Sequence, residues 1–505
     1  MVYMCRPMRQ VFHYIQGRET PGTGSRRGEV FDPATGAVQA LVPLGGEAEL
    51  NAAVQAALAA QPGWAASSAQ RRSQVLFRFK ALIEQHMPAL AKLLASEHGK
   101  ILADARGDIQ RGLEVIDFVC GAPQLLKGEF SQGVGPGIDV WSMRQPLGVT
   151  AGITPFNFPA MIPLWMLGPA IACGNAFILK PSERTPSVAV ALAGLLREAG
   201  APEGILNVVH GDRVMVDAIL AAPAIKAVSF VGSSAVARHV YATAAAAGKR
   251  VQAMGGAKNH GLVLPDADLD QAVEAIVGAA FGSAGERCMA LSVVVAVGDD
   301  TAAALRGRLI AAIGRLRVGA PDDVDADYGP VVTAAHKQRI EHYVAMGVDE
   351  GAELVVDGRG LIVPGHERGF FLGPSFFDHV RPGMRSYREE IFGPVLQMMR
   401  VRTLDEGIEL ASAHTYGNGV ALFTRSGEAA RRFAERVEAG MVGINVPIPV
   451  PVAPHGFGGW KQSAFGDLNQ YGTDSIRFHT RTKIVTQRWS GGGVPAAAFV
   501  IPTGD

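Results

Sequence analysis

From residue 145 to residue 179 the chain carries no charged side chain, so any fold it adopts must enclose that stretch in protein or in lipid. Five prolines, Pro146, Pro155, Pro159, Pro163 and Pro169, interrupt it, and Asn157 and Asn175 are polar breaks. It therefore lacks the unbroken run of about 20 apolar residues that a bilayer-spanning helix needs. We read it as buried strand, loop, helix and strand in a soluble protein. The pattern around it agrees. Residues 149–154, 176–179, 205–210 and 227–231 are short apolar runs, and residues 186–199 and 214–222 between them have helical spacing. Such alternation predicts a parallel sheet covered on both faces, with ligands at the carboxyl ends of its strands.

Upstream, residues 13–19 and 30–38 read as short strands, and residues 47–60, 67–97 and 104–120 as helices. Residues 128–137 form a glycine-rich interruption before an extended arm at 138–145. A second cycle begins near His260, with a helix over 269–281 and a strand over 293–297. Strands at 353–356, 395–400 and 420–424 then alternate with helices at 403–413 and 426–439, which makes a second α/β domain. Residues 475–486 alternate and are expected as one edge strand, pairing with the 138–145 arm across a subunit boundary; an exposed edge of that length predicts a homo-oligomer, dimer or tetramer.

The chain of 505 residues has 47 Lys+Arg against 47 Asp+Glu and no basic block, so nothing supplies the field that nucleic acid or an anionic membrane requires. Cys5, Cys120, Cys173 and Cys288 are scattered, without CxxC or a histidine pair at metal spacing, which points to a reducing compartment and no metal site. The first 20 residues contain Arg6, Arg9, His13 and Arg18 but no signal-like apolar run. MVYMCRPM reads as an over-extended start, and the missing transit-like leader favours the cytoplasm.

Chemistry concentrates at residues 281–292, FGSAGERCMALS. Cys288 follows two glycines that allow close approach of a ligand, and the Arg287 guanidinium favours thiolate over thiol. The residues suit a nucleophile or an ordinary partly buried cysteine. After the run AVSFVG, Gly232 and Ser233 open a helix whose free N–H groups can hold a pyrophosphate, or simply make a tight turn. Lys180 and Glu183 close the preceding strand; they can hold the hydroxyls of a ribose, with the carboxylate repelling a 2′-phosphate, or form a solvated pair. In TPFNFP, Asn157 can donate to a developing oxyanion together with the Cys288 backbone N–H. Glu390 and Phe392, beside a Gly-Pro turn, suit a nicotinamide and its ribose.

PFNFP, KPSERTP, FVGSS, GERC and EEIFGPV, in that order, resemble the aldehyde dehydrogenase superfamily over essentially the whole chain. The resemblance implies two parallel α/β domains and a small β oligomerisation arm. It divides the chain into an NAD-binding domain (1–127 and 147–253), a catalytic domain (254–446), the arm (128–146 and 470–490) and a return segment (447–469). It makes Cys288 the nucleophile and Asn157 the oxyanion donor. Thr154, Phe156, Lys180, Glu183, Gly232, Ser233, Glu390 and Phe392 become contacts of NAD. One departure is informative. Hydrolytic members open an E-L-G-G-K run with a water-activating glutamate, whereas here Ala253 begins AMGGAK. A thioester without that base still reacts with a thiol, and coenzyme A is the expected one. With GGAKNH and GERCMALS, this is similar to the CoA-acylating methylmalonate-semialdehyde dehydrogenases, which implies malonate or methylmalonate semialdehyde as substrate and Arg111 with Arg287 as a clamp for its carboxylate. A hydrolytic enzyme using Glu286 or Glu390 as base, and a catalytically silent structural protein on this fold, are the alternatives.

Overall fold

A computed structural model describes residues 8–489. Cys5, Arg6, the reading of the chain start and the last arm position, 490, lie outside the described residues. The uncharged stretch folds as a strand Val149–Ile153, a loop, a helix Met161–Ala172 and a strand Ala176–Lys180, and every residue of that helix is buried. Its two strands are central in an eight-stranded sheet. Five members, in the order Arg250–Met254, Ile225–Val231, Val149–Ile153, Ala176–Lys180 and Leu206–Val208, run parallel. Antiparallel strands close both edges: Ala464–Phe465 at one, His13–Ile15 with Arg18–Thr20 at the other. Both faces are covered, which is why these strands read as continuous apolar runs rather than alternating ones.

A second sheet has seven strands in the order Glu353–Val356, Ser375–Asp378, Val395–Val401, Leu291–Val297, Asn259–Val263, Gly419–Phe423 and Met441–Ile444, all parallel except the first. Helix Leu269–Phe281 leads from this sheet into the Cys288 loop. A third sheet joins Thr480–Arg488, Ile138–Pro146 and Phe130–Gly135. The α/β architecture expected from the alternation is therefore present. Among the described residues no helix is long and apolar enough to cross a membrane.

Residues 13–19 and 30–38 are not single strands: each crosses a turn, between His13–Ile15 and Arg18–Thr20 and between Arg27–Asp32 and Ala37–Pro43. Three details at the arm also depart from the sequence reading. Residues 475–486 are not one strand: Thr473–Phe478 is a helix, and the strand Thr480–Arg488 starts after it. Gly472 turns the chain at φ 73°, Ile476 and Phe478 enter the core, and Arg250 donates to the carbonyls of Arg477, Phe478 and Thr480, which satisfies the helix end. Nor does this strand reach another subunit for its partner, since it pairs antiparallel with Ile138–Pro146 of its own chain. The glycine-rich interruption at 128–137 also contains a strand, Phe130–Gly135.

The contact that matters most to the site is between helix Leu102–Cys120 and helix Met161–Ala172. Glycines let these two approach. A Cβ on Gly112 would lie 2.5 Å from Leu164 Cδ1 and 3.2 Å from Met161 Cα, and one on Gly168 would lie 2.7 Å from Ile116 Cδ1. Gly107, on the same helix, faces open space. Gly112→Val is expected to lower stability by about 1–3 kcal/mol through overpacking, whereas Gly107→Ala raises it by about 0.5–1 kcal/mol through helix propensity. Denaturant midpoints of the two variants check both signs.

Candidate active site

Helix Leu269–Phe281 ends in a single 3₁₀ turn, Gly282–Gly285, in which Ser283, Ala284 and Gly285 all take left-handed backbone conformations with φ of 56°, 53° and 71°. Non-glycine residues hold such conformations only where their surroundings impose them. The surroundings here are another loop. A Cβ on Gly285 would stand 2.2 Å from Gly393 O, so the Cys288 loop meets the 390–394 loop backbone to backbone. Phe392 in that second loop is itself left-handed, at φ 62°. Beyond the turn, the carbonyl of Cys288 accepts from Asn259 Nδ2 at 2.9 Å and from Asn418 Nδ2 at 3.0 Å. Two side-chain amides thus fix the peptide that carries the thiol.

Cys288 opens on two sides. One is a cleft of about 340 Å³ whose walls include Phe158, Met161, Trp165, Ile448, Val450 and Phe457 and whose charged groups are Asp104, Asp108, Arg111 and Arg287. An apolar pocket with a few convergent charges suits a small charged ligand. The other is a crevice that Cys288 and Arg287 share with Lys258, Asn259, Glu390 and Phe392. Glu390 Oε1 accepts from the Ala257 N–H at 2.9 Å; burial raises its carboxyl to about 7 against the opposing charge of Lys258. Burial likewise lowers Lys258 to about 7.

The thiol is neutral in this environment. Burial pushes Cys288 up to about 12, and the Glu390 carboxyl adds to the rise. The Arg287 charge does favour the thiolate, as expected, but burial and Glu390 outweigh it; Arg287 Nη2 also donates to Asp104 Oδ1 at 2.8 Å. Arg111 is also paired, to Glu114 at 2.6 Å and to the carbonyl of Pro451 at 3.0 Å. Asn157 is buried, with its Nδ2 donating to the carbonyl of Glu286 at 3.0 Å. Its own carbonyl accepts from Lys100 Nζ at 2.8 Å. Lys100 is 1% exposed, lies 3.3 Å from Asp108 Oδ2 and sits over the Phe158 ring. Asp108 in turn accepts from Met161 N at 2.7 Å.

Glu286 is turned away from the cleft. Its carboxyl accepts from Val332 N at 3.2 Å and lies among His98 and His336, and burial raises it to about 8. A water-activating role at Glu286 therefore has no geometric basis. Ala253, near the end of strand Arg250–Met254, is fully buried in register with Phe230 and Phe465.

At the carboxyl ends of three parallel strands lies a larger cleft, about 490 Å³, lined by Thr154, Lys180, Glu183, Gly232 and Ser233 among others. Lys180 Nζ is 3.1 Å from Glu183 Oε2. Burial works to raise the Glu183 carboxyl, and Lys180 outweighs it and holds the group below its ordinary value. Helix Ser234–Ala246 begins here without a side-chain cap, and Thr154 Oγ1 is buried with no partner. Unused N–H groups and an orphaned hydroxyl at strand ends fit a dinucleotide. Phe156 does not line this cleft. Its ring packs against Phe392 at 5.9 Å and against His98 and His336 at 6.0 Å.

Of the candidates, Cys288, Arg287, Arg111, Glu390 and Phe392 line the two openings at the thiol, and Thr154, Lys180, Glu183, Gly232 and Ser233 line the strand-end cleft, whereas Asn157 and Phe156 line none of the three. The structure adds five that sequence reasoning passed over: Lys100, Asp104, Asp108, Asn259 and Asn418. Asp104, Asp108 and Arg111 recur at i, i+4 and i+7 on one helix, a spacing that places them on one face. Asn259 lies in the GGAKNH run, and nothing local marks Lys100 or Asn418.

A malonate-semialdehyde dehydrogenase of Pseudomonas aeruginosa is 56% identical over 482 residues, covering 95% of this chain and 97% of the relative. The acylating, mitochondrial methylmalonate-semialdehyde dehydrogenase of Arabidopsis thaliana is 50% identical, covering 91% of this chain and 76% of its own. A crystal structure of a Sinorhizobium meliloti 1021 protein complexed with NAD is 58% identical, with a TM-score of 0.95 over 96% of this chain and 99% of the other. That of the methylmalonate-semialdehyde dehydrogenase from Oceanimonas doudoroffii is 53% identical with the same TM-score and coverage. The model of the aldehyde dehydrogenase family matches residues 20–485, and the chain belongs to that family.

Proposed function

We propose that this protein oxidises malonate or methylmalonate semialdehyde with NAD and transfers the acyl group, after loss of CO2, to coenzyme A. The observation that carries the reading is that no carboxylate stands in the run Ala253–Lys258, where a hydrolytic member would carry its water-activating glutamate: Ala253 and Met254, which open the run, are both buried and apolar. The names of the relatives and the NAD complex of one neighbour support it.

In this reading Cys288 is the nucleophile. Its thiol gives up a proton and its sulfur adds to the aldehyde carbon, and the oxyanion of the resulting thiohemiacetal is held by Asn157 Nδ2 and the Cys288 backbone N–H. One N–H of the Asn157 amide goes to the carbonyl of Glu286, and the other is left for the oxyanion. Thr154, Lys180, Glu183, Gly232 and Ser233 hold the dinucleotide, with Glu390 and Phe392 on its nicotinamide side; when bound, NAD supplies the hydride acceptor. Phe156 acts through the Phe392 loop it supports. Arg111 and Arg287 receive the substrate carboxylate at the mouth of the cleft. In the acyl thioester the bond between the α-carbon and the carboxylate breaks, its electron pair passes into the thioester as an enolate, and a proton completes the acyl group. Coenzyme A thiolate then takes that group and frees Cys288. Glu390 favours one second reading, hydrolysis, because it shares a crevice with Cys288 and its carboxyl stands near neutrality.

The same reading assigns residues 1–127 and 147–253 to the cofactor domain and residues 254–446 to the catalytic domain. It also makes the chain a cytoplasmic homo-oligomer, for which the open edge of Thr480–Arg488, with Ile484 exposed, is the support.

Two outcomes are expected. NADH formation from malonate semialdehyde sustains turnover only with coenzyme A and yields acetyl-CoA and CO2, and Cys288→Ser lowers the rate by about a thousandfold or more; equal turnover without coenzyme A, giving a free acid, selects hydrolysis instead. Because the thiol titrates far above its ordinary value, alkylation of Cys288 in the cofactor-free protein climbs roughly tenfold per pH unit through about pH 10. A plateau near neutrality contradicts the environment described for the thiol.

A further inference from the structure

A carboxylate that must be bound and then expelled as CO2 poses an electrostatic conflict. Decarboxylation removes negative charge from the carboxylate and moves it toward the thioester. A cation that binds the carboxylate strongly therefore stabilises the ground state more than the transition state and slows the bond cleavage. Two unencumbered arginines would make that conflict severe. The cleft does not present them. Arg287 reaches the pocket already engaged with Asp104, Nη2 to Oδ1 at 2.8 Å, with both side chains about four-fifths buried and both lining the cleft beside Cys288. Asp104 is held there as an anion: burial works to raise its carboxyl, and the Lys100 and Arg287 charges outweigh it and keep the group below its ordinary value. Its second oxygen, Oδ2, is buried, and the Lys100 charge and the Ser283 hydroxyl help to keep the carboxylate ionised beside Arg287. Arg111 differs in kind, because Glu114, its carboxylate partner, does not line the cleft.

We infer that Asp104 is a positioning residue that tempers Arg287, weakening its hold on the substrate carboxylate so that the acyl thioester can lose CO2. This rests on the reading of Arg111 and Arg287 as the carboxylate clamp. Asp104 touches no reacting atom; it acts only through the guanidinium. The device costs affinity and gains rate at one step. A purely structural Asp104, needed to hold Arg287 in place, would act in the opposite sense on binding.

Asp104→Asn keeps the shape and an acceptor for Arg287 while removing the charge, so it separates the two. In NAD-saturated enzyme the variant is expected to lower the KM for malonate semialdehyde, and the inhibition constant for malonate used as an unreactive dicarboxylate probe, each by roughly threefold to tenfold. CO2 release after the first burst of NADH is expected to slow by a similar factor. Propanal, which has no carboxylate, should not show the lowered KM. Raised KM for the semialdehyde with slower NADH formation means a structural role and overturns the inference, as does CO2 release that keeps pace with the parent. Asp104→Ala, which removes the acceptor as well, is a second variant: recovery of the Asn phenotype there supports charge as the cause, and raised KM in both variants overturns it. Failure of the underlying reading shows separately. If the parent enzyme uses propanal as well as malonate semialdehyde and is insensitive to malonate, there is no carboxylate clamp for Asp104 to temper.

Discussion

An ammonium group without access to water must be fully satisfied by protein, and in this molecule that group is Lys100. Its Nζ lies between the carbonyl of Asn157, the carboxyl of Asp108 and the face of Phe158. Asp108 holds the first N–H of the helix Met161–Ala172 as well. One buried charge therefore ties together the turn after helix Ala69–His98, the helix Leu102–Cys120, the loop that carries Asn157 and the helix that walls the cleft. Stranding any one partner would leave an uncompensated buried charge, at a cost of about 3–5 kcal/mol. The position of Asn157 follows from that arrangement, and so does the face that helix Leu102–Cys120 turns toward Cys288.

The nucleophile's loop depends on a different constraint, close approach. Three successive left-handed residues bring residues 283–285 against Gly393, and the Asn259 and Asn418 amides then take hold of the Cys288 carbonyl. Strain of this kind persists only when surrounding contacts over-determine it. Here they come from the start of one strand, from the turn before another and from the loop bearing Glu390 and Phe392. The thiol is placed where the two openings meet, with charged groups on the substrate side and Glu390 on the other.

Charge balance describes the cleft better than charge excess. Arg111 and Arg287 line it together with Asp104 and Asp108, and both aspartates have cationic partners. Such a pocket admits an anion without holding it by the full strength of two free guanidinium groups. Glu390, whose carboxyl stands near neutrality, completes a site in which few charges are unopposed.

Much of this was legible in the chain itself. Alternating apolar runs and helices dictated parallel sheets, because a strand buried on both faces has no polar face to show. Short motifs at strand ends located Asn157, Lys180, Glu183, Gly232 and Cys288, because glycine, small residues and functional groups cluster where backbone must approach a ligand. The break after Gly472 was not legible, since the alternation of IRFH is compatible with a single helical turn whose buried residues face the core. Neither was the internal pairing of the arm, which depends on where a strand more than 300 residues away lies. Above all, the chain did not disclose that Arg287 meets Asp104, a separation of 183 residues. Local sequence reports which groups a segment offers. Which charge each group faces, and hence whether a cysteine is a thiol and an arginine a free cation, is decided by tertiary structure, because electrostatic interaction depends on distance through space and on exclusion of water.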